Sequence, residues 1–298
     1  MGGVVVDLVL SAAFVISSAL AGAGVIALSL GLVWHYRNAW LERVQGSAAG
    51  AAAGLLRHPV VLVHGVVGFD EISLGARRHE YFRGVAENLR RHGVEVYRVR
   101  IPNGASVSVR ARHLARWIER IPSPRVNIIA HSMGGLDARY AIAKHGIGSR
   151  VASLVTVGTP HRGTPIADVG TRLGDRFGIR GLLSAAGIDI RGFYDVTTEE
   201  AEQFNTGVPD HPGVHYGCVV GRPNVRSGGV NPLLRPGHRY LQSRIGANDG
   251  LIPTTSQVWG EVIDEIDADH WAQIGWSNRF DAPAFYEKLV RELGSRGL

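Results

Sequence analysis

Between Pro59 and Val157, short apolar runs alternate with segments of helical period, and few architectures accept that order. Pro59 to Val63 is uninterrupted apolar sequence, Tyr81 to His92 has helical spacing and stops at Gly93, and Val94 to Val99 is apolar again. Val107 to Ile121 then reads as a helix ended by Pro122, Val126 to Ala130 as a strand, Met133 to His145 as a helix ended by Gly146, and Val151 to Val157 as a strand. Strands with no polar alternation belong to a sheet covered on both faces. Strands separated by helices need crossovers, so the spacing predicts a mainly parallel central sheet with helices on both faces. A 298-residue chain with 45% hydrophobic residues supplies ample core for it.

The alternation lapses between Thr164 and His211, which holds the mostly apolar Gly181 to Ile190 and the helix-like Thr197 to Thr206. An insertion of this kind, at about residues 164–211, suits a lid over a site at the sheet edge. Val214 to Val220 and Glu261 to Ile266 read as further strands, and Pro283 to Leu293 as a closing amphipathic helix.

The N-terminus has a different character. Leu8 to Val33 carries no charged residue, whereas roughly 20 apolar residues suffice to cross a bilayer as a helix. The first charge is Asp7 rather than a basic cluster, so residues 1–43 are expected to be a transmembrane anchor more than a cleaved signal. Arg37 and Arg43 follow the run and no lysine or arginine precedes it, which favours a cytoplasmic location for what comes after. The small, uncharged stretch QGSAAGAAAG lies within a linker at residues 44–56, and a folded domain is expected at 57–298. The net charge of +6 is scattered, without basic–aromatic interleaving, so no nucleic-acid partner is expected. A single cysteine, Cys218, excludes an intrachain disulfide and a cysteine-built metal site.

The chemistry concentrates where VNIIA meets HSMGG. A serine hydroxyl is a weak nucleophile unless an imidazole takes its proton, and it must project from the sheet to be reached. In the G-x-S-x-G elbow a strand turns sharply into a helix with serine at the bend, and small residues two before and two after relieve crowding. Here Ser132 has Ala130 before it and Gly134 after it, so the first glycine is replaced by one more methyl group. In the order serine, acid, histidine, the candidate histidine is His270 in DADHW and the candidate acid Asp249 in ANDGL; Asp264, Asp267 and Asp269 stand as alternatives. Asp267 and Asp269 read as solvated loop carboxylates, and His215 and His238 precede Asp249 and so break the order. The backbone N–H of Met133, just after the serine, and that of Val66, after His64-Gly65, are candidate donors to an oxyanion.

From about Pro59 to His270, the chain resembles the bacterial triacylglycerol lipases of the Pseudomonas and Burkholderia type, members of the α/β-hydrolase superfamily. The resemblance is carried by VVLVHGVVGFD, EYFRGVAENLRRHGVEVY, VNIIAHSMGG, TVGTPHRGTP, EEAEQFN…GVHY, ANDGL and the late histidine, in that order. It implies an α/β-hydrolase fold, a triad of Ser132, Asp249 and His270, and an oxyanion hole from Val66 and Met133. It also implies a serine ester hydrolase cleaving lipid or other acyl esters through an acyl-enzyme, without a cofactor. A lipid-directed acyltransferase or thioesterase would use the same residues, and a non-catalytic membrane scaffold would keep only the fold. The secreted lipases hold calcium with a carboxylate two residues after the histidine; Ala272 stands there in this chain, and no aspartate or glutamate lies between His211 and Asn248. No metal is therefore expected.

Overall fold

The computed structural model describes residues 55–66, 71–74, 77–178, 180, 181, 183, 189–224 and 229–298. The expected anchor and nearly all of the linker lie outside the described residues. No helix among the described residues is long and apolar enough to cross a membrane. Leu55 and Leu56, which composition assigns to the linker, are partly buried against the core, and the Arg57 N–H donates to the carbonyl of Leu298 at 3.1 Å.

Six strands form the central sheet: β1 (Val60–Val63), β4 (Val96–Arg98), β5 (Val126–His131), β6 (Val151–Val157), β7 (His215–Gly221) and β8 (Glu261–Ile266). Their order is β4-β1-β5-β6-β7-β8 and every neighbouring pair is parallel. The uninterrupted apolar runs are explained by the two cores. In β1, Val60 and Leu62 enter one buried cluster with α1 (Val85–Arg91) and α9 (Ala282–Ser295), while Val61 and Val63 enter the other with α2 (Val107–Arg120) and α3 (Gly134–Lys144). Successive side chains point to opposite faces, so both faces of the strand must be apolar.

Between β1 and β4 an antiparallel hairpin pairs β2 (Glu71–Leu74) with β3 (Arg77–Glu80), which the sequence pattern does not disclose. The helix expected from Tyr81 begins later, at Val85, because Gly84 at φ 71° turns the chain immediately before it. The insertion contributes α4 (Pro165–Arg176), α5 (Arg191–Tyr194) and α6 (Thr198–Gly207). Between β7 and β8 lie α7 (Arg235–Arg244) and α8 (Thr254–Gln257).

The strand order locates the site. From β1 the chain crosses to β4 on one side and then returns to β5 on the other, so the loops after β1 and β5 diverge at neighbouring strand ends. Ligand sites of open parallel sheets occupy such crevices at the carboxyl ends. The His64–Val66 loop and Ser132 leave those two strands.

Candidate active site

Ser132 is the only residue other than glycine with positive φ, at 56°, among the described residues. A side chain in that region is strained and persists only where its surroundings enforce it. Here the Ser132 N–H donates to Val157 at 2.9 Å, and its carbonyl accepts from the Thr159 hydroxyl at 2.7 Å. A Cβ on Gly134 would sit 2.7 Å from the His64 carbonyl oxygen, and one on Gly135 would sit 2.3 Å from Thr159 Oγ1. Both glycines therefore let α3 start against β1 and β6. Ala130, by contrast, is an ordinary strand residue paired to Val63 and Thr156, and its methyl is buried in the α2–α3 core. That place accepts alanine because the close approaches fall at 134 and 135 instead.

Asp249 reaches Ser132 from the turn between α7 and α8, and His270 from the loop after β8. Ser132 Oγ lies 3.0 Å from His270 Nε2, and His270 Nδ1 lies 2.8 Å from Asp249 Oδ2. With an ionised Asp249, the Nδ1 proton belongs on the carboxylate side, which leaves Nε2 as the acceptor for the serine hydroxyl. Asp249 is fully buried, and its Oδ1 accepts the N–H groups of Leu251 at 3.0 Å and Ile252 at 2.8 Å. The tight turn thus supplies the carboxylate with backbone donors and fixes its orientation. The alternative acids are occupied elsewhere. Asp264 pairs with Lys288 at 2.8 Å, and Asp267 accepts from the Asn224 N–H. Asp269 corrects the expectation of a solvated carboxylate: it is 2% exposed and accepts from Asn231, Trp271 and Ala272, tying down the turn that carries His270. His238 is buried in α7, and His215 faces Glu261 at 3.5 Å.

On the opposite side of Ser132, the amides of Val66 and Met133 donate to no protein acceptor among the described residues. What aims the first of them is a buried framework. Arg110, with no exposed surface, donates through Nη2 to the carbonyls of His64 at 2.8 Å and Gly65 at 3.0 Å, and through Nη1 to Pro102 at 2.8 Å. Carbonyl and N–H of one trans peptide point in opposite directions, so a Gly65 carbonyl drawn toward Arg110 turns the Val66 N–H away from it. Asp137 holds the guanidinium at 2.7 Å and is equally buried. Burial pushes its carboxyl up to about 6 even though Arg110 beside it acts in the other direction.

His64 completes the framework. Burial, helped by the Arg110 charge, brings its pKa down to about 3. The neutral ring donates from Nδ1 to the Gly65 carbonyl at 2.9 Å and accepts at Nε2 from the Ile101 N–H at 3.3 Å. The Gly65 N–H donates to the Tyr81 hydroxyl at 3.0 Å, which in turn lies 2.8 Å from His131 Nδ1. A Cβ on Gly65 would fall 2.9 Å from Ser132 Cβ, so only glycine lets the loop come this close.

Arg110, Asp137, Tyr81, His131 and Gln273 were not among the residues singled out from sequence. One signal was available: Arg110 lies within the buried stripe Val107, Ala111, Leu114, Ala115 and Ile118 of α2, where a charge is out of place unless it is paired.

Comparison with known proteins bears on the fold and the family. Residues 58–175 match the α/β hydrolase fold family. Triacylglycerol lipase 2 of Saccharomyces cerevisiae is 33% identical over 251 residues, spanning 73% of this chain and 74% of that protein. The triacylglycerol lipase of Burkholderia plantarii is 32% identical over 292 residues, spanning 75% of this chain and 79% of that protein. The chain belongs to the lipase-like α/β-hydrolases. Among solved structures, Bacillus licheniformis lipase BlEst2 in its mature form superposes with TM-score 0.63 at 20% identity, over 84% of this chain and 96% of that one. A metagenomic carboxyl esterase, MGS0156, superposes with TM-score 0.68 at 17% identity, over 88% and 82%. These two likenesses bear on the fold.

In this α/β-hydrolase the insertion rests directly on Val66 and Met133. A Cβ on Gly192 in α5 would lie 2.9 Å from Met133 Cε and 3.0 Å from Val66 Cγ2. The Gly192 N–H donates to Gly104, whose own N–H donates to the Val66 carbonyl, each at 2.9 Å. Beside His270, Ala272 is buried in a short 3-10 turn at Ala272–Ile274, and among the described residues no cluster of three or more histidine, cysteine, aspartate or glutamate side chains is arranged to hold a metal ion.

Proposed function

We propose that this chain is a serine ester hydrolase acting on acyl esters of lipids, with Ser132 as nucleophile, His270 as general base and acid, and Asp249 as the carboxylate that orients His270. The observation that carries the reading is the unbroken hydrogen-bonded path from Ser132 Oγ through His270 to buried Asp249, with the serine held at positive φ. Ser132 Oγ attacks the ester carbonyl carbon as its proton passes to His270 Nε2. The carbonyl oxygen takes up the charge, stabilised by the N–H groups of Val66 and Met133. Collapse breaks the C–O bond to the alcohol, which leaves with the proton from Nε2, and the acyl group stays on Oγ. Water, deprotonated by Nε2, then releases the acid and restores the serine. The lipase names of the relatives support an acyl-lipid substrate. The expected Leu8–Val33 anchor would hold the enzyme at a bilayer, with the domain on the cytoplasmic side as the Arg37 and Arg43 flank favours.

The test is hydrolysis of p-nitrophenyl esters of graded chain length, together with fluorophosphonate labelling. Labelled, active wild type and unlabelled, inactive Ser132→Ala are expected; turnover surviving in Ser132→Ala would overturn the assignment. A C-terminal topology reporter on the full chain tests the anchor separately, and a reporter signal from the outer side would reverse the orientation.

A further inference from the structure

Gln273 is fully buried in the turn that follows His270, and its side-chain N–H donates to Asp249 Oδ2 at 3.0 Å. This is the same oxygen that His270 Nδ1 approaches at 2.8 Å. The space for the amide is made by glycines at the ends of two strands. A Cβ on Gly158 would lie 2.2 Å from Gln273 Oε1, and one on Gly221 would lie 2.0 Å from Gln273 Nε2. An ionised carboxylate only accepts, so the amide must turn its nitrogen toward Asp249.

The other end of the amide is also specified. Oε1 of Gln273 and Nε2 of His131 are both buried without a partner in full hydrogen-bond geometry. The Tyr81 hydroxyl, which accepts from the Gly65 N–H, lies 2.8 Å from His131 Nδ1. Burial and the neighbouring His270 drive the His131 pKa well below its ordinary value, with Gln273 opposing. With the Tyr81 hydroxyl as the donor to Nδ1, the neutral ring has its proton on Nε2, available to the neighbouring amide of Gln273.

We infer that Gln273 is a positioning residue: its amide, set in a two-glycine slot and backed by His131, holds the Asp249 carboxylate in place and takes up part of its negative charge. The inference rests on the hydrolase reading of this site. Four N–H donors then converge on one carboxylate, from Leu251, Ile252, Gln273 and His270. Removing the Gln273 donor concentrates charge on Oδ2, which favours the protonated imidazole of His270 and withdraws the base at low pH.

The experiment is the pH profile of kcat/KM for p-nitrophenyl butyrate in wild type and Gln273→Met, a change that keeps the side chain's length and apolar stem but removes its donor. The acid limb reports the free enzyme's essential base. Its midpoint is expected to move up by about half a pH unit or more, with kcat down about 3- to 10-fold and KM little changed. A profile that superimposes on the wild-type one after scaling would overturn the inference, whatever happens to Tm, because a space-filling role lowers stability without moving the limb. Should Gln273→Met not fold, Gly221→Ala is measured in the same way: its methyl would displace the amide nitrogen while leaving Gln273 in the sequence, and the same upward shift is expected, with an unshifted limb counting against the inference. Wild type that neither turns over esters nor reacts with a fluorophosphonate would overturn the hydrolase reading and this inference with it, whereas active wild type with an unshifted variant overturns the Gln273 role alone.

Discussion

At the carboxyl edge of the sheet, Arg110, Asp137, Asp249 and Gln273 are all without exposed surface, and each is held by charged or amide hydrogen bonds. In the insertion above it, α4 has no buried residue, and Phe177 and Phe193 are 68% and 37% exposed. The ties of that insertion are of another kind: Asp168 to Thr198, Asp175 to the Tyr194 hydroxyl and a surface Asp189–Arg191 pair. Exposed pairs of that sort contribute little, whereas a buried donor or acceptor left alone is expensive. The edge is thus fixed by polar groups that cannot be lost singly; the outer part of the insertion is held by contacts that water can replace, while Val196 and Ala201 are buried beneath it. Reacting groups need the first kind of support; a lid, the role the sequence suggests for this insertion, would need the second.

The largest effects should therefore fall at the edge. Ser132→Ala and His270→Ala are each expected to lower kcat by about 10⁴-fold or more with little change in Tm, and the double variant to be no worse than either single, because the two act as one unit. Additive losses, measured by single-turnover kinetics, would mean that Ser132 and His270 act independently.

Next comes the framework under Val66. Arg110→Met leaves Asp137 buried without its cation and is expected to cost about 3–5 kcal/mol, which calorimetry should register as a Tm lower by about 10 °C. Replacing both partners, Arg110→Met with Asp137→Leu, should recover the part of that loss due to the unpaired carboxylate, while the carbonyls of His64, Gly65 and Pro102 remain without their donor. Activity should stay depressed about 10-fold or more, because the carbonyls of His64 and Gly65 still lack the donor that orients the Val66 N–H. Full recovery of kcat in the double variant would reduce the pair to a packing role.

How much of this was readable beforehand differs along the chain for physical reasons. The strands were legible because a two-sided sheet demands unbroken apolar runs, and β1, β5 and β6 have no exposed side chains. Ser132, Asp249 and His270 could be selected as candidates by chain order and turn chemistry, and the fold brings them within hydrogen-bond distance. The β2–β3 hairpin left little pattern, since EISL and RRHE show no continuous apolar run. Helix α7, RPGHRYLQSR, buries only His238 and Leu241, too narrow a stripe to stand out. Gln273 and Asp137 become meaningful only through partners 24 and 27 positions away. Periodicity reports burial; it does not report which buried polar group meets which.

A pH effect of intermediate size separates the two regions again. His64, His131 and His161 are buried, and burial is the first cause lowering all three pKa values, joined by Arg110 at His64 and by Arg139 and Arg162 at His161, to about 3 for His64. The folded chain thus binds fewer protons at these sites than the unfolded chain once the pH drops below about 6.5. Their contribution is whole above that pH and is lost as pH falls toward the folded values. Asp137 works in the opposite sense, because its raised value near 6 lets the folded state take up a proton between pH 6 and 4. Together these groups should lower stability by about 1–3 kcal/mol per pH unit between 6 and 4, measured as Tm against pH. His161→Gln should flatten that slope; an unchanged slope would mean that His161 is not a source of the acid sensitivity.

The smallest expected effect lies in the cover. Phe177 ends α4 with most of its ring in water, so Phe177→Ser should change stability by no more than about 0.5 kcal/mol. Hydrolysis of p-nitrophenyl acetate, which needs only the edge, should be unchanged. Hydrolysis of a long-chain ester presented as an emulsion should fall about 2- to 5-fold, since each apolar contact withdrawn from an acyl chain forfeits about 0.8 kcal/mol per methylene. The ratio of long-chain to short-chain turnover is the quantity to follow. A ratio equal to that of wild type would show that this exposed ring takes no part in meeting the substrate. A fall in both rates alike would show instead that the cover and the edge are coupled, through the Gly192–Gly104–Val66 hydrogen bonds that join them, and that the division between a fixed edge and a replaceable cover is less sharp than the packing alone indicates.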